Sequence, residues 1–219
     1  MSDTVTSVIE EYLEGIYKLQ EKSGVARTSE LVNLLKVVPG TVTNTVERLE
    51  NEGYVTHKPY KGVQLTEKGR KVALQVVRRH RLSERLLSDI LHVEWAKVHD
   101  AACKLEHGIT EDIIKPLEKA LGHPKTCPHG NPIPTKCGGI IEERSQPLNE
   151  LNVGARSTIM KITEETPDLL HYLKALGLVP GASIEVIEKA PFNGPITIKV
   201  GTVNHALSRA TASIIQVKK

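Results

Sequence analysis

A histidine and a glutamate occupy two positions of a predicted helix where leucine or valine is expected. The stretch RHRLSERLL covers residues 79–87, and within it His80 and Glu84 stand four residues apart. They share one helical face with the apolar residues Ala73, Val77, Leu87 and Leu91. A buried imidazole or carboxylate is costly unless a partner compensates it, whereas an exposed i, i+4 ion pair contributes only about 0.2–0.5 kcal/mol. The position on the apolar face therefore favours a divalent cation over a surface ion pair.

The next predicted helix carries further groups of ligand type on one face. Offsets of four, seven and eight residues stay near one side of a helix, and they connect His99 with Cys103, Glu106 and His107. Cys103 alone is also typical of a buried small apolar residue. Imidazole, carboxylate and a single thiolate form a mixed donor set, which suits Fe(II), Mn(II) or Co(II) better than structural zinc. Two neighbouring helices are thus predicted to share one metal-binding interior.

Periodicity and capping signals predict a winged helix-turn-helix in the first part of the chain. A first helix covers residues 5–22, a second begins at the N-cap Thr28, and a third begins near Pro39 and stops before Gly53. The segment YVTHKPYKGVQLT, residues 54–66, is predicted to be a β-hairpin, with Val55 and His57 opposite Val63 and Leu65 around a Pro-Tyr-Lys-Gly turn. A hairpin directly after two short helices is typical of a wing.

The middle of the chain is predicted to be helical, and the last third is predicted to be a small β-barrel. We expect three helices, over residues 66–91, 93–107 and 110–121. A loop rich in Pro and Gly follows over residues 123–149. After Leu151 the apolar period changes to two, and STIMKIT, SIEVIEKA, PITIKV and SIIQV are predicted strands. One helix, with Thr166 as its N-cap, interrupts these strands.

Positive charge is concentrated in the segment that contains the predicted winged helix. Residues 27–81 hold eleven Lys and Arg against five Glu, although the whole chain carries a net charge of only +3. A basic solvated surface would have the same composition. The coincidence of this charge with a helix-turn-helix nevertheless favours binding to DNA.

The third helix has the composition of a DNA-recognition helix. Val42, Val46 and Leu49 form its predicted buried face. The opposite face carries hydroxyl and amide side chains, which can contact base edges in the major groove, and an arginine that can reach a phosphate. The predicted DNA contacts in this helix and around it are Arg27, Thr28, Gly40, Thr41, Thr43, Asn44, Thr45, Arg48, Lys58 and Lys61.

Composition also restricts the compartment. An apolar run of about 18 residues and a signal-peptide pattern are both absent from the sequence, which predicts a cytoplasmic protein without a membrane partner. Three cysteines do not make a disulfide framework and predict free thiols. The loop CPHGNPIPTKC contains Cys127, His129 and Cys137, but their spacing matches no paired-ligand zinc motif. A structural loop is therefore favoured over a further metal site.

The stretches RRHRLSERLL and KVHDAACKLEH closely resemble the diphtheria toxin repressor family of metal-dependent transcription regulators. The resemblance covers essentially the whole chain, including the loop GNPIP, and LKALGLVPGASIEVI is similar to a ferrous-transport A-type barrel. It implies a fold that is mainly α with small β parts. The implied domains are a winged helix over residues 1–73, a helical dimerisation and metal-binding domain over 74–143, a linker over 144–150, and an SH3-like barrel over 151–219.

The resemblance implies an ancillary metal site that joins the helical domain to the barrel. Its helical ligands would be His80, Glu84 and His99, and the matching barrel positions are Glu165 and Asp168. The family type has an amide at the last position, so Asp168 is a departure. Acidic residues are also favoured at a helix N-terminus by the helix dipole alone.

The resemblance further implies a primary, activating site built from Cys103, Glu106 and His107. Its remaining ligand would come from the first helix, where the matching residue is Glu11. Iron-responsive members have a methionine at that position, whereas manganese-responsive relatives have a carboxylate and also replace the cysteine. This chain combines the carboxylate with the cysteine, and the retained thiolate favours Fe(II).

The resulting prediction is a homodimeric repressor that is activated by Fe(II), binds palindromic double-stranded operator DNA and controls genes of iron uptake and homeostasis. Mn(II), Co(II), Ni(II) or Zn(II) could substitute for iron, and no small-molecule substrate is expected. A Mn(II)-responsive regulator of manganese transport is the main alternative. A metalloenzyme would need an open coordination position, and the sequence carries no motif for a nucleophile or a general base. A further alternative is a winged-helix regulator with a permanently filled structural metal.

Overall fold

The computed structural model describes residues 5–58 and 61–219. The chain folds into two compact units. The first contains the residues up to Arg79 together with Pro134–Gly139, and the second contains His80–Ile133 and Ile140–Lys219. Pro59 and Tyr60, in the predicted turn of the hairpin, lie outside the described residues.

Three helices and a hairpin form most of the first unit. They are α1 (Ser7–Ser23), α2 (Thr28–Leu35), α3 (Pro39–Asn51), β1 (Val55–Lys58) and β2 (Gly62–Leu65). The hydroxyl of Thr6 accepts a backbone N–H at the start of α1, and Gly24 ends this helix with a φ of 77°, which a residue without Cβ adopts readily. Pro39 is the first residue of α3, where its missing N–H has no helical partner to lose. The N-cap of α2 is Arg27, so Thr28 is the first helical residue and not the predicted cap.

The hairpin has the predicted register. Val55 pairs with Leu65 and His57 with Val63 in an antiparallel arrangement. A further antiparallel bridge joins Ala26 to Val63, so the segment just before α2 continues the small sheet. The hairpin is thereby attached to the helix-turn-helix, as a wing requires.

The long helix after the hairpin is α4 (Glu67–Arg85), and it continues as one π-helical turn over Leu86–Ile90. The hydroxyl of Thr66 accepts the N–H of Gly69 at 3.2 Å, which confirms the predicted N-cap. The π turn inserts an extra residue into the helical turn and rotates the residues after it. For this reason Leu91, predicted on the buried stripe, is 58% exposed.

The predicted helix over residues 93–107 is divided into three pieces. A 3-10 turn covers Trp95–Lys97, α5 covers Val98–Leu105, and a second 3-10 turn covers Glu106–Gly108. The third predicted helix is α6 (Glu111–Ala120), which starts after the N-cap Thr110 as expected. The tight turns at both ends of α5 leave a helix of two turns that carries the central ligand-type residues.

Six antiparallel strands form the sheet of the second unit in the order β3-β8-β4-β5-β6-β7. The strands are β3 (Ser145–Pro147), β4 (Arg156–Ile162), β5 (Ser183–Lys189), β6 (Ile196–Val200), β7 (Val203–Leu207) and β8 (Ile215–Lys218). Two helices accompany them, α7 (Pro167–Ala175) and α8 (Arg209–Ile214). The mainly α fold with a small C-terminal sheet is therefore confirmed.

Three details of this sheet differ from the sequence prediction. β3 and a 3-10 turn over Leu148–Glu150 occupy residues that were predicted as linker. β7 was not predicted, and the segment SIIQV is a strand only from Ile215 onward. Its first residues belong to α8, because the hydroxyl of Ser208 accepts the N–H of Thr211 and starts a helical turn there. One helical turn is too short to produce a recognisable period in sequence.

The core of the barrel also includes residues from the helical segment before α5. Ala96 is buried in the same apolar cluster as the barrel residues, and Trp95 packs against that cluster. The fully buried barrel residues of this cluster include Leu148, Ile162, Leu170, Leu173, Leu178, Ile196 and Ile198. The start of α5 is thereby held against the barrel, which brings side chains of both parts together.

Candidate metal centre

Glu84 is the centre of a buried group of ligand-type side chains in the second unit. It lies on α4, it is completely buried, and its Oε1 atom faces three imidazoles. The distances are 3.3 Å to His80 Nε2, 3.4 Å to His99 Nδ1 and 3.1 Å to His129 Nδ1. Its Oε2 atom has no hydrogen-bond partner among the described residues. A buried carboxylate oxygen without a partner is costly, and a cation bound by the surrounding nitrogens would satisfy it.

Glu165, in the segment before α7, faces the same group from the barrel. Its Oε2 atom lies 2.8 Å from His99 Nδ1, and its Oε1 atom lies 3.6 Å from His129 Nδ1. The side-chain amide of Asn131 donates to the same Oε1 at 2.6 Å. The carboxylate is therefore fixed in orientation, with one oxygen toward each imidazole.

The loop of residues 127–131 brings His129 into this group by packing closely on β4. Gly130 has a φ of 87°, and a Cβ at this position would lie 1.9 Å from the carbonyl oxygen of Met160. Only glycine permits this approach. The N–H of Ile162 donates to the carbonyl of His129 at 2.9 Å, and Asn131 donates to the carbonyl of Ile162. These contacts align the loop with the strand that precedes Glu165.

Trp95 fixes the orientation of the His129 ring. The indole N–H of Trp95 donates to the carbonyl of Pro128 at 2.9 Å, and the two rings lie 4.9 Å apart. The carbonyl of Trp95 lies 3.1 Å from His129 Nε2, which therefore carries the proton that it donates. The Nδ1 atom of His129 is then the one available to a metal, and it is the atom that faces Glu84.

Cys103, Glu106 and His107 lie on the other side of the His80 and His99 rings. The Sγ atom of Cys103 is 4.0 Å from His80 Nδ1 and 3.9 Å from His99 Nε2. Glu106 Oε2 is 2.5 Å from His80 Nδ1, and His107 Nε2 is 3.4 Å from Glu106 Oε1. Each of the two shared imidazoles thus has one nitrogen toward Glu84 and the other toward Cys103 or Glu106.

The imidazoles of this group hold protons strongly in the metal-free protein. Burial alone would lower the pKa of His80, but hydrogen bonds to Cys103 and to two carboxylates outweigh it and raise the pKa well above the usual range. The pKa of His99 rises to about 11 for the same reason, against the effect of burial. The pKa of His129 is also raised, because Glu84 outweighs burial. The metal-free group is therefore a network of compensating charges.

The acidic members shift in the opposite direction. Burial would raise the pKa of Glu84, but hydrogen bonds to His129 and His80 outweigh it and hold the pKa well below the usual range. Burial also opposes ionisation of Cys103, and the two neighbouring imidazoles outweigh it and lower its pKa to about 7. Anionic carboxylates and an accessible thiolate are the protonation states that bind metal.

Three overlapping sets of donor atoms in the second unit could hold a metal ion, each with its atoms within 4.8 Å of one another. The first is His80, His99 and Cys103, and the second is His80, Glu84, His99 and Glu165. The third is Glu84, Cys127, His129 and Glu165. Imidazole, carboxylate and thiolate in these proportions suit Fe(II), Mn(II), Co(II) or Zn(II).

The structure brings together most, but not all, of the residues predicted as ligands. His80, Glu84, His99 and Glu165 form one of the sets, whereas Glu11 and Asp168 are exposed and belong to none of those found among the described residues. Glu106 and His107 lie next to one another, with Glu106 against His80.

Cys127 and His129 are ligand-type residues of the loop for which a structural role was favoured over a further metal site. Both are buried beside Glu84 and Glu165, so this part of the loop also belongs to a candidate donor set. Cys137, the third member of the CPHGNPIPTKC pattern, is exposed. The signal was present in the adjacency of a thiol, an imidazole and Gly130, but nothing in the spacing indicates that the partners are Glu84 and Glu165.

The first unit presents the predicted recognition face. Val42, Val46 and Leu49 are buried on α3, as predicted. The predicted DNA contacts are all exposed or half-buried, namely Arg27, Thr28, Gly40, Thr41, Thr43, Asn44, Thr45, Arg48, Lys58 and Lys61. The guanidinium of Arg48 lies 3.8 Å from Glu52, and both side chains are largely open to solvent. A polar face of this kind, beside a wing, can enter a DNA groove.

Sequence models of known domains match all three parts of the chain. The iron dependent repressor N-terminal DNA binding domain matches residues 4–63, and the iron dependent repressor metal binding and dimerisation domain matches residues 66–135. The FeoA domain matches residues 146–219. Among the described residues, no helix combines the length and the hydropathy needed to cross a membrane.

Individual proteins give the same result. The chain is 35% identical to the iron-dependent repressor IdeR of Mycobacterium tuberculosis over 226 residues, which covers 96% of each chain. A solved manganese-dependent transcriptional repressor in complex with manganese superposes with a TM-score of 0.87 at 29% identity and covers 96% of this chain and 99% of its own. IdeR of T. acidophilum gives a TM-score of 0.83 at 29% identity and covers 98% of both. The chain belongs to the iron-dependent repressor family of metal-dependent, DNA-binding transcriptional repressors, which are not enzymes.

Proposed function

We propose that this repressor is a cytoplasmic protein that is activated by Fe(II), binds a palindromic operator as a homodimer and controls genes of iron uptake. The observation that carries the proposal is the donor set around the unpartnered Oε2 atom of Glu84. Cys127 belongs to a set with Glu84, and Cys103 belongs to the neighbouring set with His80 and His99, so two thiols are available beside the imidazoles and carboxylates. Thiolate sulfur favours Fe(II) over Mn(II), which prefers oxygen ligands. The names of the mycobacterial relatives, which are iron-dependent repressors, agree with this choice.

A Mn(II)-responsive regulator is the second candidate. The similar structure that contains manganese supports it, and so do the two carboxylates that face the centre, Glu84 and Glu165. The ligand role that the family resemblance gives to Glu11 would add a further hard oxygen and stays a prediction. The two candidates differ in the metal that activates DNA binding and not in the fold.

The residues of the second unit would act by holding a metal against the barrel and the helices together. His80, Glu84 and His99 come from α4 and α5, and Glu165 and His129 come from segments packed on the barrel. A bound cation supplies positive charge that keeps the two carboxylates close to one another. Because metal and DNA both favour the same arrangement of the protein, operator DNA must tighten metal binding by the same factor as metal tightens DNA binding.

The activating metal is tested by titration of the full chain on labelled operator DNA under anaerobic conditions. Free Fe(II), Mn(II), Co(II) and Zn(II) are each buffered with a chelator, and the concentration that gives half-maximal DNA binding is measured by fluorescence anisotropy. Fe(II) and Co(II) are expected to act at lower free concentration than Mn(II), because of the thiolates. A lower half-maximal concentration for Mn(II) would instead support the manganese regulator.

Substitutions on α3 are expected to separate phosphate contacts from base contacts. Arg48→Ala should weaken binding to all sequences alike and reduce the slope of log affinity against log salt by about one. Asn44→Ala should change the preferred base at one operator position, by about 1–3 kcal/mol. The control is Lys104→Ala, an exposed lysine on α5. A uniform loss of affinity across operator variants from Asn44→Ala would contradict its assignment as a base contact.

Metal binding is expected to release protons. At neutral pH the raised pKa values of His80 and His99 keep these imidazoles protonated in the metal-free protein, and ligation requires a free nitrogen. Apparent metal affinity should therefore rise as the pH is raised. Addition of Mn(II) to weakly buffered protein should acidify the solution, and a pH indicator measures the number of protons. Binding without proton release would show that these imidazoles do not coordinate.

A further inference from the structure

Two of the candidate metal-binding sets share both of their carboxylates. One set is His80, Glu84, His99 and Glu165, and the other is Glu84, Cys127, His129 and Glu165. Among the described residues, no set within 4.8 Å joins His80 or His99 to Cys127 or His129. Opposite ligands of one octahedral ion lie about 4–5 Å apart when the bonds are about 2.0–2.3 Å. The donors on the two sides are therefore spaced for two ions and not for one.

The orientation of Glu165 supports the same division. Its Oε2 atom faces His99 Nδ1 at 2.8 Å, and its Oε1 atom faces His129 Nδ1 at 3.6 Å. One carboxylate thus presents one oxygen to each side, which is the arrangement of a bridging ligand. Asn131 holds it in this orientation by donating to Oε1.

Glu84 offers a second bridge. Its Oε1 atom is within 3.4 Å of imidazole nitrogens from both sides, His99 and His129. Its Oε2 atom is buried and has no hydrogen-bond partner in the part of the chain that the structure describes, so one oxygen remains available to a second ion. A single ion on either side would leave part of this acceptor capacity unused in a buried place.

We propose that the buried cluster of the second unit is a binuclear centre, in which the carboxylates of Glu84 and Glu165 bridge two divalent cations. His80 and His99 bind the first cation through nitrogen, and Cys127 and His129 bind the second through sulfur and nitrogen. The two positions then differ in softness, and the second is the more selective for Fe(II). This inference rests on the proposed metal-activated function and specifies how many ions its centre holds.

The shared carboxylates make the binding of the two ions cooperative. The first ion to bind holds Glu84 and Glu165 in place, so the second ion meets two ligands that are already oriented. The carbonyl of Trp95 contacts His129 Nε2, and the carboxylate of Glu106 contacts His80 Nδ1. Each contact involves the ring nitrogen that does not face Glu84 and therefore orients the imidazole for metal binding. Metal response should therefore be steeper than for one independent site.

The centre is tested with Mn(II) as a spin probe in the full chain under anaerobic conditions. Two Mn(II) ions joined by carboxylates lie about 3.5–4 Å apart and are exchange-coupled. The electron paramagnetic resonance spectrum of the saturated parent protein is expected to contain a coupled signal distinct from that of isolated Mn(II). This measurement requires no substitution and so does not depend on whether a variant folds.

A cycle of substitutions then counts the ions. Every protein in the cycle carries Cys103→Ala, which removes the overlapping set of His80, His99 and Cys103. His99→Ala and His129→Ala should each lose one bound Mn(II) at saturation and abolish the coupled signal, and the combined variant should lose two. Cys137→Ser, at an exposed thiol, is the matched control and should retain both the count and the coupling.

The binuclear centre is overturned if the saturated parent shows only isolated Mn(II), or if the combined variant loses no more metal than either single variant. Operator binding is measured on the same saturated parent sample, which retains Cys103. Metal-dependent DNA binding together with an uncoupled spectrum would leave the proposed function standing and overturn only the second ion. A coupled spectrum without metal-dependent DNA binding would leave the binuclear centre standing and overturn the proposed function.

Discussion

Glu84→Gln is expected to abolish metal-dependent operator binding. The substitution keeps the size of the side chain but removes the charge that faces three imidazoles. The amide oxygen, a weak metal ligand, is then the only donor atom that this side chain offers. Loss of a residue that only hydrogen-bonds a metal ligand already lowers metal affinity by about 10–100-fold. Removal of a central ligand should therefore lower it by more than about 100-fold. Fluorescence anisotropy of labelled operator, at a metal concentration that saturates the parent, measures the effect.

The same substitution is expected to destabilise the metal-free protein. Glu84 is fully buried and is the shared counter-ion of His80, His99 and His129, and breaking a buried ion pair from one side costs about 3–5 kcal/mol. Urea unfolding followed by the fluorescence of Trp95, the single tryptophan of the chain, reports this region directly. The unfolding free energy should fall by about that amount.

The control for both measurements is Glu94→Gln in the same unit. Glu94 also faces basic groups, with Lys97 at 3.2 Å and Lys174 at 3.4 Å, but it lies at the surface. Its removal should leave metal response and unfolding unchanged, because solvent screens such pairs. If Glu84→Gln binds operator with metal as the parent does, activation depends on Cys103, Glu106 and His107 without this carboxylate.

Half of the candidate metal centre could be predicted from sequence because helical periodicity carries the information. His80 and Glu84 interrupt an apolar stripe on α4, and both are buried as that pattern requires. The spacing also placed His99 and Cys103 on one face of α5, and the structure puts both against His80. Local periodicity is sufficient where the ligands lie on regular helices that pack together.

The other half depends on contacts between distant segments. Cys127 and His129 lie in a loop whose course is determined by the approach of Gly130 to the backbone of Met160, thirty residues later in the chain. No period in the sequence encodes such a contact. Asp168, a position matched by resemblance, is exposed on α7 in this chain, and its ligand role stays a prediction.

The fold shows the same contrast between regular and irregular segments. The hairpin register was correct because alternation and turn length determine it together. The end of α4 was less predictable, since a π turn over Leu86–Ile90 rotates Leu91 to the surface. The short helix α8 lies within a run of residues whose composition suits a strand, and only the cap at Ser208 marks its beginning.

Withdrawal of metal is expected to release the operator without unfolding the protein. The cores are complete without an ion: Leu13, Leu31 and Leu49 are fully buried in the first unit, and Ile162 and Leu170 in the second. Charge compensation in the metal-free centre is also internal, because each buried carboxylate faces at least one imidazole. Addition of EDTA should therefore dissociate the complex with DNA completely while the far-ultraviolet circular dichroism spectrum stays unchanged.

Metal should still stabilise the folded chain by mass action. At a free concentration of about 100 times the dissociation constant, one ion contributes about 2.7 kcal/mol, which corresponds to a rise in Tm of roughly 5–10 °C for a chain of this size. EDTA presaturated with Zn(II) is the control for ionic strength. If EDTA alone unfolds the protein, the metal is a permanent structural component. That result would mean that the charge network of Glu84 and its three imidazoles does not stabilise the second unit without an ion. Release of DNA with the fold intact requires the opposite: the ion acts on a protein that is already folded, and its concentration can therefore regulate DNA binding.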